Sequence, residues 1–293
     1  MASFQSNKIN PDRFSWGQLK FFAFLGALSV FMILPIVFIF SQALKPIDEL
    51  FLYPPKFLVQ HPTFENFTML FKATDVTVIP KSKYLFNSLI VTGAVVFLSI
   101  AISAMTGFAL SKKEFKLKKA VFEVNIIALM FVPAAVTIPR YLVVQKLGLT
   151  DNFLGHILPM LALPVSVFLV KQFVDQIPDA LLEAARLDGA NDYYVFRKVV
   201  VPMILPALAT VAILSFQLAW NNTETSSLYM NKETMKTFAF YMSTLTTTTA
   251  MENNIAGQGL AAAAALLMFI PNLVIFIFMQ SKVMDTMAHS GLK

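Results

Sequence analysis

The feature that most limits what this chain can fold into is a recurrence of apolar segments about as long as a bilayer is thick. Phe21 to Ser41 contains no charged residue, and a helix needs roughly 20 apolar residues to cross the hydrocarbon core. Leu85 to Leu110, Ala120 to Ile138, Leu154 to Phe173, Val199 to Leu218 and Leu260 to Met279 repeat the pattern. Composition agrees: 57% of residues are apolar and 14% charged, where soluble domains carry about 45–50% and about 25%. The expected fold class is all-α, a polytopic membrane protein with about six transmembrane helices. The first run exceeds the 7–15 apolar residues of a secretory signal, and no small-residue cleavage site follows, so it reads as a retained span.

An even number of spans puts both termini on one side, and lysine and arginine bias short loops towards the cytoplasm. One set of segments carries Lys8, Arg13, Lys20, the five lysines of Ser111 to Lys119, Lys171, Arg186, Arg197, Lys198, Lys282 and Lys293. The short loops of the other set carry only Arg140 and Lys146, then Lys232 and Lys236. Both termini are therefore expected in the cytoplasm, and Ile177 to Lys198 as an inside loop. The division expected is a cytoplasmic segment 1–20 and a first span with a long, aromatic-rich, surface-lying outer loop, 21–84. A core 85–282 follows, containing the inside loop 178–198, and then a cytoplasmic tail 283–293. Gly93, Ala94, Ser99, Ala101, Ser103, Ala104 and Gly107 in the second span are small enough for close helix approach in lipid.

Several functions are excluded by what the chain lacks. There is no cysteine, hence no thiolate metal site or cysteine nucleophile. His61, His156 and His289 lie far apart and read as interfacial or loop residues, so no metal site or cofactor is expected. The net charge of +6 falls between apolar segments and reads as topology control rather than nucleic-acid binding. No ionisable residue lies near the centre of a span, where proton- or ion-coupled carriers place relays. No clear internal repeat relates the two halves, and no G-x-x-x-x-G-K-[ST] phosphate loop occurs. Either the chain is a passive pore or a partner supplies the energy.

The inside loop carries the most information. Pro178 suits a first helical position and Asp179 complements the helix dipole. Leu181, Ala184, Ala185 and Asp188 fall on one face at helical spacing. Gly189 can end that helix in a left-handed conformation, and Tyr193 to Lys198 can begin a second one leading to Pro202. The spacing predicts a short helix–turn–helix with a small-residue surface able to enter a groove.

This loop resembles the EAA motif of importer-type ABC permeases: Glu183-Ala184-Ala185, three residues, Gly189, nine residues, then Val199-Val200-Val201-Pro202. Val199 and Val201 stand where the motif has Ile and Leu. Phe196 and Pro206, Asn87-Ser88-Leu89, Leu147 to Asp151, Trp220-Asn221 and the tail Ser290 to Lys293 are similar to the carbohydrate branch with maltose-type permeases. The resemblance implies a type I, MetI-like permease fold in a bacterial cytoplasmic membrane. It implies a subunit without enzyme activity that pairs with a second permease, as a heterodimer, above two ATP-binding subunits. An extracytoplasmic solute-binding protein would deliver an oligosaccharide, acidic glycans being included by general likeness.

In that scheme Glu183, Ala184, Ala185, Asp188, Gly189 and Pro202 couple to the ATPase. Glu183 would pair with a basic ATPase residue, and the alanines would pack closely. The expected substrate path draws on Asn87, Trp220, Asn221, Thr223 and Tyr229 at the outer span ends, which also read as interfacial belt residues. Thr244 to Thr249 reads as a flexible loop or a surface facing the binding protein. Two alternatives stay open: the same architecture serving a non-sugar solute, and a membrane scaffold or channel.

Overall fold

The computed structural model describes residues 19–72, 79–252 and 256–290, and side chains within these except at 248–252, 256 and 281–290. The assignments on Lys8, Arg13, the side chain of Lys282 and the end of the tail lie outside the described residues. Among the described residues there is no strand. The helices are α1 (Leu19–Leu44), α2 (Glu65–Lys72), α3 (Lys81–Lys112), α4 (Lys118–Leu129), α5 (Pro133–Lys146), α6 (Phe153–Leu161) and α7 (Pro164–Asp175). Then come α8 (Asp179–Leu187), α9 (Asp192–Met203), α10 (Leu205–Trp220), α11 (Glu224–Tyr229), α12 (Phe238–Glu252) and α13 (Ala256–Ser290).

Three helices, α1, α3 and the Gly257–Gln280 part of α13, are long and apolar enough to cross a bilayer unbroken. The other three crossings are bent pairs, so the six-span reading holds when each pair counts once. Ala120 to Ile138 divides into α4 and α5, which meet at 117°. Leu154 to Phe173 divides into α6 and α7 at 47°, and Val199 to Leu218 breaks at Ile204 into α9 and α10 at 78°. A proline stands at each break: Pro133 and Pro164 open α5 and α7, and Pro206 is the second residue of α10. The residue before a proline avoids helical ψ, and Val132 and Leu163 take ψ of 131° and 80°. At 12 residues, α4 is about 18 Å long, too short to cross alone.

The central element is α3, which packs along α7 and α10 and touches α6 and α12. Its buried residues are mostly small or polar, among them Ser99, Ser103, Ala104 and Gly107. A Cβ built on Gly107 would lie 2.6 Å from Val170 Cγ1, so the α3–α7 approach requires glycine there. Around this axis α13 carries α1, α2, α10 and α12. One apolar cluster fills the basic end (Phe108, Val170, Val174, Leu182, Val195, Ile204). Another fills the opposite end (Leu70, Tyr84, Trp220, Phe238, Tyr241, Leu260). Outward lies the reverse of a soluble surface: Phe21, Phe24, Phe31, Phe97 and Phe278 are exposed, as a hydrocarbon solvent allows.

The described part of the long loop after α1 is folded. Glu49 accepts hydrogen bonds from the Gln60 and His61 amides, and Asn66 Nδ2 donates to the Ala43 and Lys45 carbonyls. The Thr244 to Thr249 run lies in helix α12 rather than in a loop. Thr244 and Thr247 satisfy their hydroxyls by donating to carbonyls four residues back, a pattern compatible with helix.

Candidate functional site

The basic end presents α8 and α9 as a helix–turn–helix. Pro178 sits at the cap, one position before the helix, and Asp179 stands in the first turn. The helix ends in a Schellman turn: Ala190 N–H donates to Ala185 O and Gly189 N–H to Arg186 O, both at 3.0 Å. Gly189 takes φ +85° there, the left-handed state such a turn requires. Asn191 then caps α9, its Oδ1 accepting from Tyr194 N–H at 2.8 Å. Further on the ladder widens, and Val201 N–H reaches back to Phe196 O. Pro202 follows with no N–H to restore the tighter register.

Leu182 anchors α8, 3% exposed within the apolar cluster of the basic end, with Ala185 and Ala190 packed against that cluster. Leu187, on the far side, is 89% exposed. Polar ties from α3 hold the loop in place. Lys112 Nζ donates to Ile177 O at 2.6 Å and pairs with Asp179 at 2.8 Å, its side chain 8% exposed. Lys113 pairs with Asp192 at 2.5 Å, and Ser111 Oγ donates to Asp175 at 2.6 Å.

Of the six expected coupling residues, Ala185, Asp188 and Gly189 come together in one surface hollow of about 370 Å³ with Asn191 and Tyr194. Glu183 and Ala184 are exposed on α8 beside it, and Glu183 forms no ion pair among the described residues. Pro202 stands apart, exposed near the bend at Ile204. The sequence pattern by itself does not mark Leu182 or Lys112 as part of this site. Only a period offset by one residue from the small-residue face, and the last lysine-bearing turn of the second span, hinted at them.

At the opposite end, residues 220–238 form a closed polar knot. Asn87 is fully buried, and its Nδ2 donates to the Thr234 and Lys236 carbonyls, both at 2.9 Å. Trp220 is 4% exposed, with Nε1 donating to Met268 O. Tyr229 is fully buried beside Tyr141. His156, expected in a loop or interface, is instead fully buried, within 2.7 Å of Thr225 Oγ1 and 3.1 Å of Met235 O.

Asp151 sits at φ +53° and accepts from the Asn231 and Lys232 amides at 2.6 and 2.9 Å. The Lys232 amide holds its carboxyl below the usual range; burial opposes this and the Asn231 contacts reinforce it. Of the expected substrate-path residues, only Asn221 and Thr223 are exposed. They share a groove of about 340 Å³ with Met242, Ser243, Thr246 and Met268. Asn87, Trp220 and Tyr229 face inward and brace the knot. No grouping that could hold a metal occurs among the described residues.

Fold and surface together define a multi-pass helical membrane protein with an anchored helix–turn–helix at its basic end and, at the other, a mainly apolar groove edged by a few hydroxyl and amide groups. The chain belongs to the family of binding-protein-dependent transport system inner membrane components, whose model matches residues 99–281. It is thus a transport subunit of the inner membrane rather than an enzyme, working with a second permease and ATPase subunits. Family membership removes the scaffold and passive-channel alternative.

The arabinooligosaccharides transport system permease protein AraQ of Bacillus subtilis (strain 168) is 26% identical, over 97% of this chain and 99% of that one. The trehalose transport system permease protein SugB of Mycobacterium tuberculosis (strain CDC 1551 / Oshkosh) is 28% identical, over 93% and 97%. The fold is similar to a chain in the crystal structure of a bacterial ABC transporter involved in the import of the acidic polysaccharide alginate. That match has a TM-score of 0.75 at 21% identity, covering 92% of this chain and 99% of that one.

Proposed function

We propose that this chain is one permease of a heterodimeric pair in an ABC importer of oligosaccharides. In this reading the loop 178–198 of the core 85–282 seats in a cleft of an ATPase subunit. The observation that carries the reading is the two-sided character of α8. Leu182 is sunk into the membrane body while Ala184, Leu187, Asp188 and Gly189 are left open. Such a helix moves as one with the bent α9–α10 pair, so closure of the ATPase on nucleotide would rock the spans as rigid bodies. Glu183, free on the flank, would meet a basic ATPase residue. Pro202, at the bend, would set the angle through which the push is transmitted.

Support for a sugar cargo comes from the named substrates of the relatives, arabinooligosaccharides and trehalose. The groove at Asn221 and Thr223 supplies hydroxyl and amide partners next to methionines. It holds no cation, so an acidic glycan would draw its counter-charge from elsewhere in the assembled pore.

The test is Gly189→Asp in the reconstituted complex. The expected result is an assembled complex whose ATP hydrolysis no longer responds to loaded binding protein and whose uptake is lost. Normal stimulated hydrolysis in that variant would overturn the docking assignment. A calorimetric panel of oligosaccharides, amino acids and peptides against the cognate binding protein decides between sugar and another solute.

A further inference from the structure

Between the 112–119 segment, α4 and α7 lies a hollow of about 510 Å³ that the transport reading does not use. Its rim carries four ammonium groups, Lys116, Lys118, Lys119 and Lys171, against two carboxylates, Glu114 and Asp175. Lys118 is engaged by Glu114 at 2.7 Å and Lys171 by Asp175 at 2.6 Å. That leaves Lys116, which forms no ion pair among the described residues. Lys119 is 91% exposed and only 3.8 Å from Glu123. One cation at this opening, Lys116, thus has no ion-pair partner among the described residues, and a second, Lys119, is held only loosely by Glu123 at 3.8 Å.

The floor is apolar. Lys171 Nζ stands 4.6 Å over the Phe122 ring, which stacks on Phe168 at 6.3 Å with 6° between planes. Below the lysines the facing sides of the two helices continue as exposed apolar surface, Ile126 and Leu129 on α4 and Val165 and Phe168 on α7. The hollow therefore joins an anion-seeking rim to a hydrocarbon-facing groove within a single cleft.

We infer that this cleft binds an anionic phospholipid of the inner leaflet, its phosphate between Lys116 and Lys119 and an acyl chain along Phe122 and Phe168. A soluble anion satisfies only the rim and a neutral lipid only the groove. Basic clefts between helices on the cytoplasmic side suit such headgroups, and each lysine near the surface contributes a few-fold to anionic-lipid affinity.

The experiment uses the assembled transporter in bilayers of phosphatidylcholine with and without phosphatidylglycerol, with retained lipid counted by native mass spectrometry. The wild type is expected to retain phosphatidylglycerol over phosphatidylcholine. Lys116→Gln with Lys119→Gln should cut that preference roughly thirtyfold, about fivefold per lysine, and the arginine pair at the same positions should restore it. Both side chains are exposed, so these variants leave the core untouched. Equal retention of the two lipids, an unchanged preference in the glutamine pair, or displacement by inorganic phosphate would each overturn the inference. So would protection of Lys116 and Lys119 from acetylation that appears only when ATPase subunits are bound.

Discussion

Gly189 and Asp151 both hold positive φ, +85° and +53°, and for different reasons. At Gly189 an added Cβ would meet nothing within 4 Å, so the demand is conformational alone. Gly189→Ala should cost about 1–2 kcal/mol, read as roughly 5–30-fold faster amide exchange at 188–191, with coupling impaired less than in Gly189→Asp. Asp151 is held in place by the amides its carboxylate binds. Its pKa is lower folded than its ordinary value of 3.8, so the charged anchor is fully present above that value. It is lost as pH falls through the depressed one. Protection of the Asn231 and Lys232 amides should therefore be flat at neutral pH and drop below about pH 4. Asp151→Asn should remove that dependence. The sequence marked Gly189 through its place after a helical face. It also marked Asp151 within a family stretch, but not its partners some eighty residues away.

Among the elements, α8 tests how the loop is held. Leu182→Ala should cost about 2–5 kcal/mol, releasing α8 to protease at 176–191 and weakening ATPase coupling with the small-residue face intact. Lys112→Met should loosen the same segment by removing both contacts at its start, visible as faster exchange there. In α3 the sequence offered seven small residues as equals, and packing separates them. Gly107→Ala places a Cβ against Val170 and the Lys171 amide and should cost about 1–3 kcal/mol. Gly93→Ala meets open space and should gain up to about 1 kcal/mol in helix propensity. Thermal unfolding of the two variants in one detergent compares them. The bent pairs were legible only as prolines inside apolar runs. A proline says that a helix can break, whereas the angles of 47°, 78° and 117° depend on which neighbours re-satisfy the backbone.

For the whole molecule, sidedness rests on the lysine and arginine bias of the loops, and the absence of cysteine makes it directly measurable. Lys232→Cys should react with a membrane-impermeant maleimide in intact cells, and Lys113→Cys only after permeabilisation. The reverse pattern would invert the topology. Hydrocarbon-length apolar runs, their number and the inside loop with its glycine were all written in the sequence. Each depends on local composition and spacing, the terms that bilayer thickness and helix geometry act on directly. The burial of Asn87, Trp220, Tyr229 and His156, the exposure of Asn221 and Thr223, and the choice of Leu182 as anchor were decided by tertiary structure alone. A polar or aromatic residue at a span end can brace a loop or face a solute equally well by composition. Which it does depends on carbonyls and side chains brought beside it from elements as much as 150 residues away.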